Sequence, residues 1–174
     1  MLALPFETAR YDVSISGLVM NFIPEPERMI AEMVRVVRDG GTVALYVWDY
    51  AGGMQMLRYF WQAAAALDPA AAALDEGRLF PTARPQTLER LFQAAALRDV
   101  QVRPIIVPTE FRDFDDFWTP FLGGQGPAPS YCAALSEDRQ AALRERLRAM
   151  LPSALDGSIP LFARAWAVRG QKAG

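Results

Sequence analysis

The sequence predicts an α/β fold with a largely parallel sheet, and three stretches carry that expectation. In "YDVSIS", residues 11–16, Tyr11, Val13 and Ile15 alternate with Asp12, Ser14 and Ser16, the period of a strand. In "PEPERMIAEMVRVVRDGG", Met29, Ile30, Met33, Val34, Val36 and Val37 recur on one face at helical spacing, while Arg28, Glu32 and Arg35 share the opposite face. In "TVALYVW", residues 42–48, the apolar run is nearly unbroken, the pattern of a strand covered on both faces. Strand, helix and strand in this order form a right-handed crossover between parallel strands.

Each element has its own local reason. Small polar residues on the second face of 11–16 suit a strand crowded by a helix or a ligand, and Gly17 ends it. Pro26 belongs in a first helical turn, where its missing N–H costs nothing, and Glu25 and Glu27 favour the positive end of the helix. Gly40 or Gly41 is expected to stop that helix in a left-handed turn. The alanine-rich stretch 53–74 reads as a helix, with Met54, Met56, Leu57, Phe60 and Trp61 as packing residues. A further helix spans 84–97, followed by a strand at 100–107 whose Pro104 places it at a sheet edge. An aromatic and acidic segment then predicts a short helix over 113–122 and a glycine- and proline-rich loop over 123–130. Ser136 is expected to cap a helix running to Leu151, with Leu143, Leu147, Met150 and Leu151 facing inward. Residues 159–168 form the last strand, and 169–174 read as a frayed tail. The whole of 1–174 reads as a single domain with a helical insertion at about 111–151.

Composition narrows the function. The chain has 174 residues, 52% of them hydrophobic, with a formal net charge of −2. That length can bury a real core. Its arginines are scattered among acids, so no basic stripe suggests nucleic acid. No apolar run is long enough for a membrane span, and the first residues do not read as a signal peptide, which together favour a cytoplasmic location. One cysteine, Cys132, and no histidine exclude a disulfide framework, a Ser-His-Asp triad and a His-ligated or thiolate metal site within this sequence. Chemistry here must rest on carboxylates, tyrosines, backbone groups or a cofactor that is already reactive.

Taken together, "LPF" at 4–6, "YDV" at 11–13, "NFIPEP" at 21–26, "RVVRDGG" at 35–41 and the strand that follows resemble the class I S-adenosylmethionine-dependent methyltransferases. The branch most similar is methyltransferase type 11, which includes the ubiquinone and menaquinone C-methyltransferases. The resemblance is tight over 4–50 and looser beyond. It implies a partial Rossmann-like sheet, the fourth to seventh strands of a seven-stranded family sheet, with the last strand antiparallel. It implies S-adenosylmethionine as cofactor and methyl transfer to a small-molecule acceptor. The family's glycine-rich cofactor loop has no counterpart here. "GGQG" at 123–126 follows no buried strand, and Pro127 and Pro129 remove amide donors that a cradle would need. The expectation is a truncated domain, deficient in cofactor binding by itself.

The resemblance also nominates residues. Ser16, Gly17 and Leu18 would line the cofactor's sulfonium, the alternative being a plain turn at a strand end. Asn21 and Phe22 lie in the following loop, with core packing an equal alternative for Phe22. Asp49 is the candidate to orient or deprotonate the acceptor, with Tyr50 beside it; Asp49 could instead cap a helix. Trp48 would wall the acceptor pocket, and an aromatic ring there attracts a cation. Trp118 and Gln125 are further acceptor candidates, although Phe114, Phe117, Trp118 and Phe121 are spaced as a helix packs a core. No metal ligand set is expected. A rival reading is a non-catalytic remnant that associates with itself through an exposed edge at 11–16, as a dimer or larger homo-oligomer.

Overall fold

The computed structural model describes residues 3–174. Four strands form one mixed sheet: β1 (Tyr11–Gly17), β2 (Val37–Trp48), β3 (Leu97–Phe111) and β4 (Ile159–Lys172). Their spatial order is β1-β2-β4-β3, so the proline-bearing strand lies at an edge as expected. β1 and β2 run parallel, with Val13 opposite Thr42, Ile15 opposite Ala44 and Gly17 opposite Tyr46. β4 is antiparallel to β2, with Tyr46 opposite Ala167 and Trp48 opposite Ala165. Seven α-helices are described: α1 (Pro26–Val36), α2 (Gln55–Leu67), α3 (Glu76–Leu79), α4 (Pro85–Ala94), α5 (Phe114–Trp118), α6 (Pro127–Ala134) and α7 (Glu137–Met150).

The chain divides into two compact units. The first comprises Met1–Asp49, Thr82–Ile105 and Ala165–Gly174. Its core is Val43, Leu45, Val47 and Val168 of the sheet with Ile30, Met33 and Val36 of α1 and Leu88, Leu91 and Phe92 of α4. The second comprises Tyr50–Pro81 and Ile106–Arg164. Its core joins Phe60 and Trp61 of α2, the aromatic residues 111–121, Cys132, and Leu143 and Leu147 of α7.

Several sequence expectations need correction. The helix before β2 stops at Val36, where Val37 is already extended, and not at the glycines. Gly40 does take a left-handed conformation, φ +74°, but within an excursion that separates Val37 from Thr42 while β1 advances only from Tyr11 to Val13. That excursion is a bulge that realigns the ladder. Gly41 is required there by space, because a Cβ would sit 2.4 Å from Val37 Cγ1 and 2.7 Å from the Asp12 carbonyl oxygen. The predicted helix 53–74 breaks at Asp68, whose carboxylate accepts from the Ala70 N–H and starts a 3-10 segment Pro69–Leu74. The predicted loop 123–130 turns helical at Pro127, since prolines in a first turn lose no hydrogen bond. Ser136 occupies the cap position of α7 without a side-chain hydrogen bond. The tail is not frayed: β4 continues to Lys172, whose Nζ donates to the Val37 carbonyl at 2.9 Å and pairs with Asp39 at 3.4 Å.

The largest difference concerns β2. Val43 and Val47 are fully buried and Leu45 nearly so, but Tyr46 on the alternate face is exposed and Ala44 only half-buried. One face of β2 is covered, not both.

Candidate functional site

Parallel strands that neighbour each other bring their carboxyl ends together, and ligands in open α/β sheets bind outside those ends. In the first unit β1 and β2 place Ser16 opposite Leu45 and Gly17 opposite Tyr46, with Leu18 following on β1's side and Val47 and Trp48 on β2's. The Leu18 N–H donates to the Tyr46 carbonyl at 2.8 Å. Leu18 takes φ +59°, a left-handed conformation that costs a branched side chain energy. Gly17 lies under the Tyr46 phenol, close enough that a Cβ would meet its hydroxyl oxygen at 2.5 Å. Beyond them the 3-10 turn Met20–Phe22 buries Asn21, 9% exposed, and leaves Phe22 62% exposed. The Asn21 Oδ1 has no hydrogen-bond partner among the described residues. Phe22 therefore does not pack in the core, and Asn21 keeps a buried acceptor to offer.

A groove of about 370 Å³ runs between β1 and α1, lined by Ser14, Ser16, Val19, Ile23, Met29 and Met33 among others. The small polar face of β1 is thus the helix-side face, which explains its serines. Glu32 closes one side; it accepts from the Leu4 N–H at 2.9 Å and from Arg35. Arg35 and the Leu4 amide hold the Glu32 carboxyl down, to about 2.

Asp49 is only 5% exposed and accepts from the Trp166 Nε1 at 3.1 Å. Strand alternation explains this: Val47 pairs with Trp166, and Asp49 follows on the same face. Asp49 is not a helix cap, since α2 begins at Gln55 with Met54 at its cap position. Trp48, one residue earlier, is half-buried.

Tyr50, Trp118 and Gln125 belong to the second unit. Tyr50 packs on Phe80 with ring centroids 5.1 Å apart. Burial, and secondarily the Glu76 charge, push its phenol pKa up. Trp118 is buried among Phe114, Phe117 and Phe121, and Arg148 lies 4.0 Å over the Phe114 ring. Gln125 is exposed between two left-handed glycines.

Two features were not anticipated. Trp166 reaches Asp49 through a strand pairing that separates them by most of the chain. Glu76, 4% exposed, accepts from the Trp61 indole and from the Ala128 backbone N–H, so one carboxylate joins α2, α3 and α6. Burial raises its pKa, partly offset by those bonds. An acid in an alanine-rich stretch was the only sequence signal. Among the described residues there is no group of three metal-ligating side chains and no helix long and apolar enough to cross a membrane.

Comparison with known proteins bears on this arrangement. A family model described as a methyltransferase domain matches residues 1–45, which include β1, α1 and most of β2. Among solved structures, a Bacillus halodurans protein assigned as a methyltransferase is 11% identical and superposes with a TM-score of 0.53 over 99% of this chain and 69% of that one. The YcgJ protein of Bacillus subtilis is 14% identical, TM-score 0.54, covering 99% of this chain and 68% of that one. An Anabaena variabilis protein, assigned as a methyltransferase from an antibiotic biosynthesis pathway, is 20% identical, TM-score 0.54, covering 95% and 69%. Curated proteins yield no match. The family model matches the first 45 of the 174 residues, and the solved structures share the fold of this chain.

Proposed function

We propose that the chain serves S-adenosylmethionine-dependent methyl transfer to a small-molecule acceptor. The observation that carries this is the strained tip of β1: a left-handed Leu18 beside Gly17, followed by a buried Asn21 with an unpartnered amide oxygen. Strain and a buried acceptor without a partner among the described residues, at the carboxyl end of a parallel strand, suit a ligand site. These residues fit the methyl-bearing end of the cofactor. Asn21 Oδ1 would accept an N–H or O–H, the Ser16–Leu18 backbone would line the sulfonium, and Phe22 would cover it.

When bound, the cofactor supplies an electrophilic methyl group. The protein then has to align the acceptor, exclude water and, where the acceptor carries a proton, remove it. Asp49 is assigned that last task, oriented by the Trp166 indole, with Tyr50 as its companion. Trp48 is assigned contact with the acceptor. The chain by itself is proposed to hold the cofactor weakly. Among the described residues the "GGQG" segment follows a 3-10 turn, Thr119–Leu122, and not a strand, so it does not replace a strand-end glycine loop.

The test is cofactor binding by isothermal titration, with Asn21→Leu and Leu18→Gly as probes. Binding that Asn21→Leu abolishes supports the site; binding unchanged by both substitutions places it elsewhere.

A second reading has its own support. Tyr11, Val13 and Ile15 are exposed on a strand at the sheet edge, and Ile15 is 68% exposed. Such an edge accepts another strand, and a second copy of this chain would provide one.

A further inference from the structure

The sheet of the first unit is covered on one face and bare on the other. On the bare face Ile15, Ala44, Tyr46 and Ala167, with Gln101, Arg103 and Arg169, line a trough of about 550 Å³. Its floor is small, because Ala44 and Ala167 stand on the two central strands. Its walls are tall: Ile15 and Tyr46 on one side, Arg103 and Arg169 on the other. The strand order places Ile15 at one margin and Arg103 at the opposite one. Four strands at roughly 4.8 Å spacing separate those margins by about 14 Å. An α-helix with its side chains is about 10–12 Å across.

The chemistry of an occupant follows from what the trough lacks. β2 and β4 are internal strands whose ladder groups are committed to their neighbours, so nothing on the floor can pair with an added strand. An occupant must satisfy its own backbone, as a helix does. Arg169 donates to Gln101 at 3.1 Å, yet neither Arg103 nor Arg169 has a carboxylate partner among the described residues. A second copy packed face to face would bring the same patch, with arginines and no acid in its lining. In solved proteins of the same fold, about a third of their own length lies outside the match to this chain.

We propose that this trough seats one amphipathic α-helix of a second polypeptide, apolar toward Ala44 and Ala167 and acidic along the rim facing Arg103 and Arg169. This holds whether or not the chain transfers methyl groups.

The experiment uses the full chain and a fluorescent synthetic peptide of about 18 residues, long enough for five helical turns. The peptide carries leucine and alanine on one face and glutamate on the flanks; a control replaces glutamate with lysine. Anisotropy should report saturable binding of the acidic peptide and little of the basic one. Arg103→Glu with Arg169→Glu should weaken the acidic peptide at least about tenfold and admit the basic one, because charge decides which partner is rejected. Ala167→Trp, which fills the floor, should exclude both while the circular dichroism spectrum is unchanged. Equal affinity for the two peptides, or affinity unmoved by the arginine reversal, overturns the proposal. So does a dimer in light scattering that Ala167→Trp dissolves, or uptake of the chain by phosphatidylcholine vesicles in preference to the acidic peptide.

Discussion

Single residues already separate kinds of constraint. Gly40 and Gly41 are adjacent, yet Gly40 is held by its left-handed φ with open space around it, and Gly41 by contact with Val37 and the Asp12 carbonyl. Gly40→Ala should cost about 1–2 kcal/mol, largely recovered by Asn, which tolerates that conformation. Gly41→Ala should cost about 1–3 kcal/mol with no recovery by Asn, because backbone stands in the way. Urea unfolding of the four variants checks both statements. Two carboxyls make opposite claims about pH. Glu32 sits below its usual 4.5, so the stability it contributes is present above that value and fades as pH falls toward about 2. Glu76 sits above 4.5, so the folded state holds its proton more tightly than the unfolded state does. Its contribution is full below that value and is lost as pH rises through the folded pKa. Glu76→Gln should therefore flatten the decline in stability as pH rises above 4.5, read by urea midpoints at each pH. An unchanged slope would mean that burial does not hold the Glu76 proton in the folded state. Neither glycine distinction nor the Glu76 cluster was legible in the sequence, since each depends on neighbours brought in by other elements.

Among elements, β1 is the most informative. Its alternation was legible, and so was the helix that follows it, because periodicity is a local property. The small polar face of β1, read from its serines as the crowded one, is the face that meets that helix. The apolar face, Tyr11, Val13 and Ile15, remains exposed. If the edge drives self-association, light scattering on the purified chain should show dimers or larger species, and Val13→Lys should shift them to monomer. A monomer at high concentration, with β1 amides exchanging freely with solvent, would remove the basis of the homo-oligomer reading. α2 shows the opposite case. Its composition is helical throughout, yet a single Asp68-Pro69 step ends it, because the carboxylate caps a new turn where proline cannot continue the old one.

For the whole molecule, the cofactor question decides most. Titration of S-adenosylmethionine into the isolated chain should give weak heats; a dissociation constant of about 1 µM or tighter, near −8 kcal/mol, would show that the β1 tip is more complete than proposed. Asp49→Asn should leave the fold intact while abolishing any methyl transfer that needs proton removal, and Trp166→Phe should reduce it less, since the indole only orients the carboxylate. The sequence by itself determined the α/β class, the β1-α1-β2 crossover, the edge position of the Pro104 strand and the resemblance carried by residues 4–50. Those follow from periodicity, turn residues and ordered motifs, all encoded within short windows. Only the tertiary structure decided that β2 is covered on one face, that Asp49 binds Trp166, and that Asn21 is buried with its oxygen unpaired among the described residues. Burial and hydrogen bonding depend on which distant segments arrive, and an apolar strand reads the same in sequence whether or not a second layer covers it.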